Sequence, residues 1–70
     1  MQISLKAARV NAGLKFREAA ELLGITGATL AKYEAGKTFP TVPLIYKMEE
    51  VYHIPFEAMD FLRNQNTTMR

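Results

Sequence analysis

The feature that most constrains this chain is a pair of short apolar-periodic segments separated by only three residues. Residues 16–36 read FREAAELLGITGATLAKYEAG, and the connection between the two halves is residues 24–26. A connection this short makes two helices cross at a steep angle instead of packing antiparallel. The small side chain of Ala20 suits a close crossing. We predict that Ile25 fills the space between the helices and that Leu30 anchors the second helix to the core.

Glycine, proline and capping residues divide the rest of the chain into further helical segments, and none of these shows the sustained alternation of a strand. Ser4, Thr26 and Thr41 are good N-caps, Gly13 is suited to a left-handed helix end, and His53 falls just past the fourth helix. We predict an all-α, compact five-helix bundle forming one domain over residues 1–63, with residues 64–70 as a flexible C-terminal tail. The expected helices cover residues 5–12, 16–23, 27–35, 42–52 and 55–62.

Periodicity also assigns side chains to the core of this bundle. The side chains expected to face inward beside Leu30 are Ala19, Ala20, Leu22, Leu23, Tyr33, Leu44, Ile45, Met48, Val51, Phe56, Met59 and Leu62. A chain of 70 residues builds only a small core, so dimerisation is an expected source of further stability.

The charge of the chain is mild but unevenly distributed. The net charge is +2. Residues 1–37 contain six Lys or Arg against three Glu, whereas residues 38–70 contain three bases and four acids. This asymmetry is what a phosphate-facing surface produces, and it is equally what a solvated face with uneven charge produces.

Several functional classes are disfavoured. The chain has no cysteine, and its one histidine, His53, has no neighbouring ligand cluster, so we expect no metal and no cofactor. No nucleophile stands near a base, and Glu49, Glu50, Glu57 and Asp60 fall on positions expected to face solvent, so an enzyme is not expected. With no apolar run of about 18 residues and no signal peptide, a cytoplasmic protein of a bacterial or phage-infected cell is expected.

Taken together, the residues resemble the phage repressor and Cro-like helix-turn-helix domains, the XRE family. The resemblance covers residue 5 to about residue 62. It implies a lambda repressor-like fold and a DNA-binding transcriptional regulator that acts as a homodimer on operator DNA. The matching residues are Leu5, Arg9, Gly13, Leu14, Ala20, Leu23, Gly24, Ile25, Thr26, Thr29, Leu30, Tyr33, Glu34, Gly36, Lys37, Pro40, Thr41, Leu44, Ile54 and Phe56.

The resemblance also implies which residues contact DNA. In this family the start of the second helix grips phosphate, the first half of the third helix reads bases, and the following loop contacts phosphate. The corresponding residues here are Phe16, Arg17, Gly27, Ala28, Thr29, Lys32, Lys37 and Thr38. Two departures weaken base readout: many relatives have glutamine where this chain has Phe16, and neither Gly27 nor Ala28 has a hydrogen-bonding side chain. Lys32 is therefore expected to carry most direct readout, by donating to guanine.

Other residues are assigned to structure or to protein contacts. The family commonly pairs an arginine and a glutamate at the positions of Arg9 and Glu34, which implies a structural ion pair. Phe39 is expected to fold back over the fourth helix, and otherwise to be an interface anchor. The candidates for a protein interface are Phe16, Phe39, Met59, Phe61 and Leu62, with Tyr46 as a further apolar neighbour.

Two functions follow from these observations. The first is a sequence-specific regulator, Cro-like or a small repressor of phage or mobile-element origin, without a small-molecule sensor. The alternative is a helix-turn-helix protein-interaction module, an antirepressor or co-repressor that binds a partner repressor. The helix-turn-helix scaffold and the basic first half favour DNA, whereas Phe16, Gly27 and Ala28 favour the alternative.

Overall fold

The computed structural model describes residues 2–61, and within that range the protein has four α-helices and one short parallel pair of strands. None of these helices is long and apolar enough to cross a membrane. The first four predicted helices are confirmed, with their ends within one residue. The elements are β1 (Ile3–Ser4), α1 (Leu5–Asn11), α2 (Phe16–Leu23), α3 (Gly27–Glu34), α4 (Val42–Tyr52), a 3-10 turn at Phe56–Ala58, and β2 (Met59–Asp60).

The helices begin at capping residues. The Ser4 hydroxyl accepts a hydrogen bond from the Ala7 amide at 3.0 Å, and the Thr26 hydroxyl accepts one from the Thr29 amide at 3.1 Å. These bonds satisfy amides that have no partner inside a helix. Thr41 occupies the N-cap position of α4 without a capping side-chain bond, and this helix instead begins with a proline in its first turn.

The helices also end as the sequence predicts. Gly13 and Gly24 follow α1 and α2 with φ of 77° and 74°, in the left-handed region where a Cβ is unfavourable. His53 has φ of 60° and ψ of 39° at the end of α4. The left-handed residue at Gly24 turns the chain sharply enough for α3 to begin three residues after α2 ends.

The predicted fifth helix is wrong. Residues 56–58 form only a 3-10 turn, and the chain then extends at Met59, where φ is −94° and ψ is 136°. β2 pairs in parallel with β1, with Ile3 opposite Met59 and Ser4 opposite Asp60. A strand here buries Met59, which is 3% exposed, and pairs backbone groups that a helix would have satisfied locally. Leu62 and the tail predicted over residues 64–70 lie outside the described residues.

The core lies where α1, α2, α3, α4 and β2 meet. Two inward predictions are wrong, since Leu22 is 52% and Phe56 is 47% exposed, and periodicity did not single out Tyr52, which is buried. Ile45 is only half-buried and lies outside the core cluster. The buried apolar residues are Leu5, Ala8, Ala19, Ala20, Leu23, Leu30, Met48, Tyr52 and Met59.

Candidate nucleic-acid interface

Helix α3 has one buried face and one exposed face. Leu30 is fully buried and packs into the core, and Tyr33 is partly buried against it. Ala28, Ala31 and Lys32 are exposed; because they are spaced by three and four residues, they lie on the same side of the helix. The sequence therefore produces a helix that is anchored on one side and open to solvent on the other.

A buried ion pair connects α3 to α1. Arg9 Nε donates to Glu34 Oε2 at 2.8 Å, and both side chains are only 10% exposed. Arg9 also donates from Nη1 to the carbonyl oxygen of Leu14 at 3.1 Å. Because the guanidinium is held by two elements at once, the pair sets the position of the C-terminal end of α3 relative to α1.

Tyr52 lies among the charges of this pair. Its hydroxyl is buried and has no hydrogen-bond partner within residues 2–61. The pKa of Tyr52 is raised from 10.0 to about 12, mainly by burial and further by the negative charge of Glu34, with the positive charge of Arg9 opposing the increase. The phenol is therefore neutral at physiological pH, and Tyr52 serves as a packing residue from α4.

Phe16 lies at the junction of α1, α2 and α3. The guanidinium carbon of Arg9 is 5.5 Å from the centroid of the Phe16 ring, a cation-π distance. A Cβ at Gly27 would be 3.2 Å from Cε2 of the same ring. Phe16 is 36% exposed, so its ring fills the gap beside the first turn of α3 while one part of it still meets solvent.

Thr29 takes part in the N-terminal cap of its own helix, α3. Its amide donates to the Thr26 hydroxyl, and its hydroxyl oxygen lies 2.9 Å from the Thr26 hydroxyl oxygen. Thr29 is half-buried. A threonine hydroxyl both donates and accepts, so Thr29 retains capacity for one further bond to a partner molecule.

Exposed basic side chains occur in α2 and just after α3. Arg17 is exposed in the first turn of α2, and Lys37 and Thr38 are exposed just after α3. The Lys37 amide donates to the carbonyl oxygen of Lys32 at 3.0 Å, which holds the start of this loop against the end of α3. Lysines 32 and 37 thus belong to one structurally fixed segment.

The predicted protein-interface residues differ in how far they are exposed. Phe39 is 60% exposed, so any packing over α4 leaves most of its side chain in solvent. Met59 is buried in the core and cannot anchor a partner. Phe61 is half-buried, with its ring centroid 5.8 Å from that of Phe56. Leu62 lies outside the described residues.

Sequence reasoning named Phe39 and Tyr46 as apolar candidates but missed Val42, which lies on α4 with Tyr46. Val42 is 60% exposed and Tyr46 is 65% exposed; because they are four residues apart, they share one face of the helix. We call the exposed side chains of Phe39, Val42 and Tyr46 the α4 apolar surface. The signal was present, since the inward stripe of Leu44, Met48 and Val51 leaves these positions on the other side.

A metal site has no support among the described residues, where no group of three or more His, Cys, Asp or Glu side chains is arranged to hold an ion. His53 is exposed at the end of α4.

Comparison with known proteins gives one match. The model of the helix-turn-helix family matches residues 5–59, which span α1 through the first residue of β2. No curated protein and no solved structure matches significantly. The matched segment contains the anchored α3, the crossing helix α2 and the ion pair that connects α3 to α1. The chain therefore belongs to the XRE family of Cro/C1-like helix-turn-helix domains, whose members are DNA-binding transcription regulators.

Proposed function

We propose that this protein is a sequence-specific regulator of the Cro or small-repressor type, from a phage or mobile element, that binds operator DNA through α3. The observation that carries the proposal is the open face of α3, formed by Ala28, Ala31 and Lys32. A helix anchored through Leu30 and Glu34 can enter a major groove with this face without rearrangement of the core.

The exposed face of α3 offers few side chains for contacts with bases. Lys32 donates to the O6 and N7 of guanine, and the methyl group of Ala28 contacts the thymine methyl. Thr29 uses its remaining hydrogen-bonding capacity on a phosphate or a base edge. Gly27 presents backbone only, so part of the specificity rests on DNA shape and deformability.

Phosphate contacts come from the two ends of this surface. Arg17 lies at the start of α2, and Lys37 and Thr38 lie in the loop fixed against the end of α3. Such contacts orient the protein on the duplex without reading sequence. Two copies acting as a homodimer place their α3 helices in successive major grooves, about 34 Å apart on a pseudo-palindromic site. Bound there, the dimer occludes a promoter.

Removal of the Lys32 side chain tests this proposal. An operator is first selected from random duplexes with the unaltered protein, and affinity is then measured by fluorescence anisotropy. Lys32→Ala is expected to weaken binding by roughly ten-fold or more, because a base contact of this kind is worth about 1–3 kcal/mol. Lys47→Ala removes an exposed lysine from α4 and is the matched control, with an expected change below about three-fold.

Salt dependence separates base contacts from phosphate contacts. Arg17→Ala and Lys37→Ala are each expected to make the negative slope of log affinity against log salt shallower by about 0.9, because each removes one phosphate contact. Unchanged slopes for both, or equal losses for Lys32→Ala and Lys47→Ala, would contradict binding through this face.

A second function, an antirepressor or co-repressor that binds a partner repressor, is favoured by the α4 apolar surface. Exposed aromatic side chains are frequent anchors of protein interfaces. Under this alternative, Phe39→Ser with Tyr46→Ser abolishes regulation in cells while the purified variant binds operator as the unaltered protein does. Under the DNA-binding proposal, Lys32→Ala abolishes regulation.

A further inference from the structure

Phe16 and Gly27, two positions at which this chain departs from the family pattern, lie next to each other in the structure. Phe16 stands where many relatives have a polar residue, and Gly27 stands at the first position of α3. We infer that Phe16 is a positioning residue whose ring packs between the Arg9 guanidinium and the first turn of α3, and that the absence of a Cβ at Gly27 makes room for that ring.

The ring is confined on more than one side. Arg9 lies over the ring at 5.5 Å from its centroid, and the guanidinium is fixed by its bonds to Glu34 and to the Leu14 carbonyl oxygen. Cε2 of the ring faces Gly27, where a Cβ would be 3.2 Å away. A Cβ at this position would be closer to the ring than an ordinary van der Waals contact, so the ring edge or the first turn of α3 would have to shift by a few tenths of an ångström.

This packing explains why the surface of α3 carries so few polar groups at its start. A phenyl ring cannot donate a hydrogen bond to a phosphate, and the glycine that accommodates it has no side chain to meet a base. The contribution of Phe16 to DNA affinity is therefore indirect, through the angle at which α3 leaves the turn at Gly24. This step rests on the proposed DNA binding, whereas the coupling of Phe16 to Gly27 does not.

A thermal double-mutant cycle tests the coupling in the full chain. Gly27→Ala is expected to lower Tm by roughly 4–8 °C in the protein that keeps Phe16, corresponding to about 1 kcal/mol in a domain of this size. In a Phe16→Ala background the same change is expected to leave Tm unchanged or raise it, because alanine favours helix over glycine. Equal changes of Tm in the two backgrounds overturn the inference.

Affinity for the selected operator tests the positioning role, at a temperature where circular dichroism shows every variant folded. Phe16→Leu, which keeps an apolar side chain, is expected to bind within about three-fold of the unaltered protein, whereas Phe16→Gln and Phe16→Ala lose roughly ten-fold, which is about 1.4 kcal/mol. Val51→Ala, in the core side of α4, is the matched control for lost stability alone and is expected to retain affinity.

The outcomes are distinct. Phe16→Gln binding as well as or better than the unaltered protein makes this position a direct phosphate contact and overturns the inference. Equal losses for Phe16→Ala and Val51→Ala reduce Phe16 to a stabilising residue and overturn it too. If the unaltered protein binds no duplex, the proposed function fails, and the thermal cycle still decides the coupling of Phe16 to Gly27.

Discussion

Arg9 shows how one side chain connects several parts of this small domain. It is 8% exposed, and its guanidinium contacts the Glu34 carboxylate, the Leu14 carbonyl and the Phe16 ring. A buried charge without a partner destabilises a protein strongly. An arrangement of α1 and α3 that separated Arg9 from Glu34 would leave both charges unpaired, so the pair favours the arrangement in which they meet. The pairing could be predicted from the family resemblance, but the stacking on Phe16 could not.

Substitution of Tyr52 tests the physical account of its buried hydroxyl. Tyr52→Phe is expected to raise the free energy of unfolding by about 1 kcal/mol at pH 8, because it removes a buried polar group without a hydrogen-bond partner in the described structure. Urea denaturation followed by circular dichroism measures the change. A loss of stability above 1 kcal/mol would mean that the hydroxyl is bonded in solution.

The same residue predicts a dependence on pH. The unfolded chain releases the phenol proton near pH 10, whereas the folded chain retains it to about pH 12. Between these values the folded state binds more protons, so the stability present below pH 10 falls as pH rises, by at most roughly 3 kcal/mol. Tyr52→Phe lacks this decrease in stability. Subtracting its free energy of unfolding from that of the unaltered protein at each pH therefore separates the effect of Tyr52 from that of other titrating groups. Parallel profiles from pH 8 to pH 11 would contradict the raised pKa.

At the scale of the elements, helix ends were the most predictable feature. Capping hydroxyls, left-handed glycines and a proline in a first turn act over a few residues, and the ends of α1 to α4 follow them closely. Side-chain faces were less predictable. Leu22 and Ile45 fit the periodic pattern, yet Leu22 is 52% exposed, because whether an apolar position is covered depends on which neighbour reaches it.

The left-handed residue that ends α4 yields a prediction. His53→Gly is expected to raise the free energy of unfolding by about 1 kcal/mol, because a non-glycine residue is strained at φ of 60°. Gly13→Ala is the converse control: its φ is 77° with open space around the missing Cβ, so strain alone should lower stability by about 1 kcal/mol. Thermal melts of the three proteins measure both shifts, and shifts of the same sign would contradict this explanation.

At the scale of the whole molecule, the parallel pairing of β1 with β2 brings the two ends of the described chain together. Ile3 lies opposite Met59, and Met59 is buried beneath the pair. The strand pair brings Met59 into the core, and β2 lies within the residues that local patterns assign to a fifth helix.

Met59 is accordingly expected to be a stability residue and not an interface residue. Met59→Ala should lower the free energy of unfolding by about 2–4 kcal/mol through lost burial and a residual cavity. Tyr46→Ala, at a position 65% exposed, is the control, with an expected change within about 0.5 kcal/mol. Chemical denaturation measures both, and a Met59→Ala loss no larger than the control would place the residue outside the core in solution.

The sequence by itself determined the four helices and the left-handed turn at Gly24, because these depend on interactions between residues close in the chain. Only the tertiary structure decided that β2 is a strand, since its partner lies 56 residues away by the pairing of Ile3 with Met59. It also decided that Phe39 is exposed and that the ring of Phe16 lies against Gly27. Such contacts join segments that periodicity and capping treat separately, so no local pattern contains them.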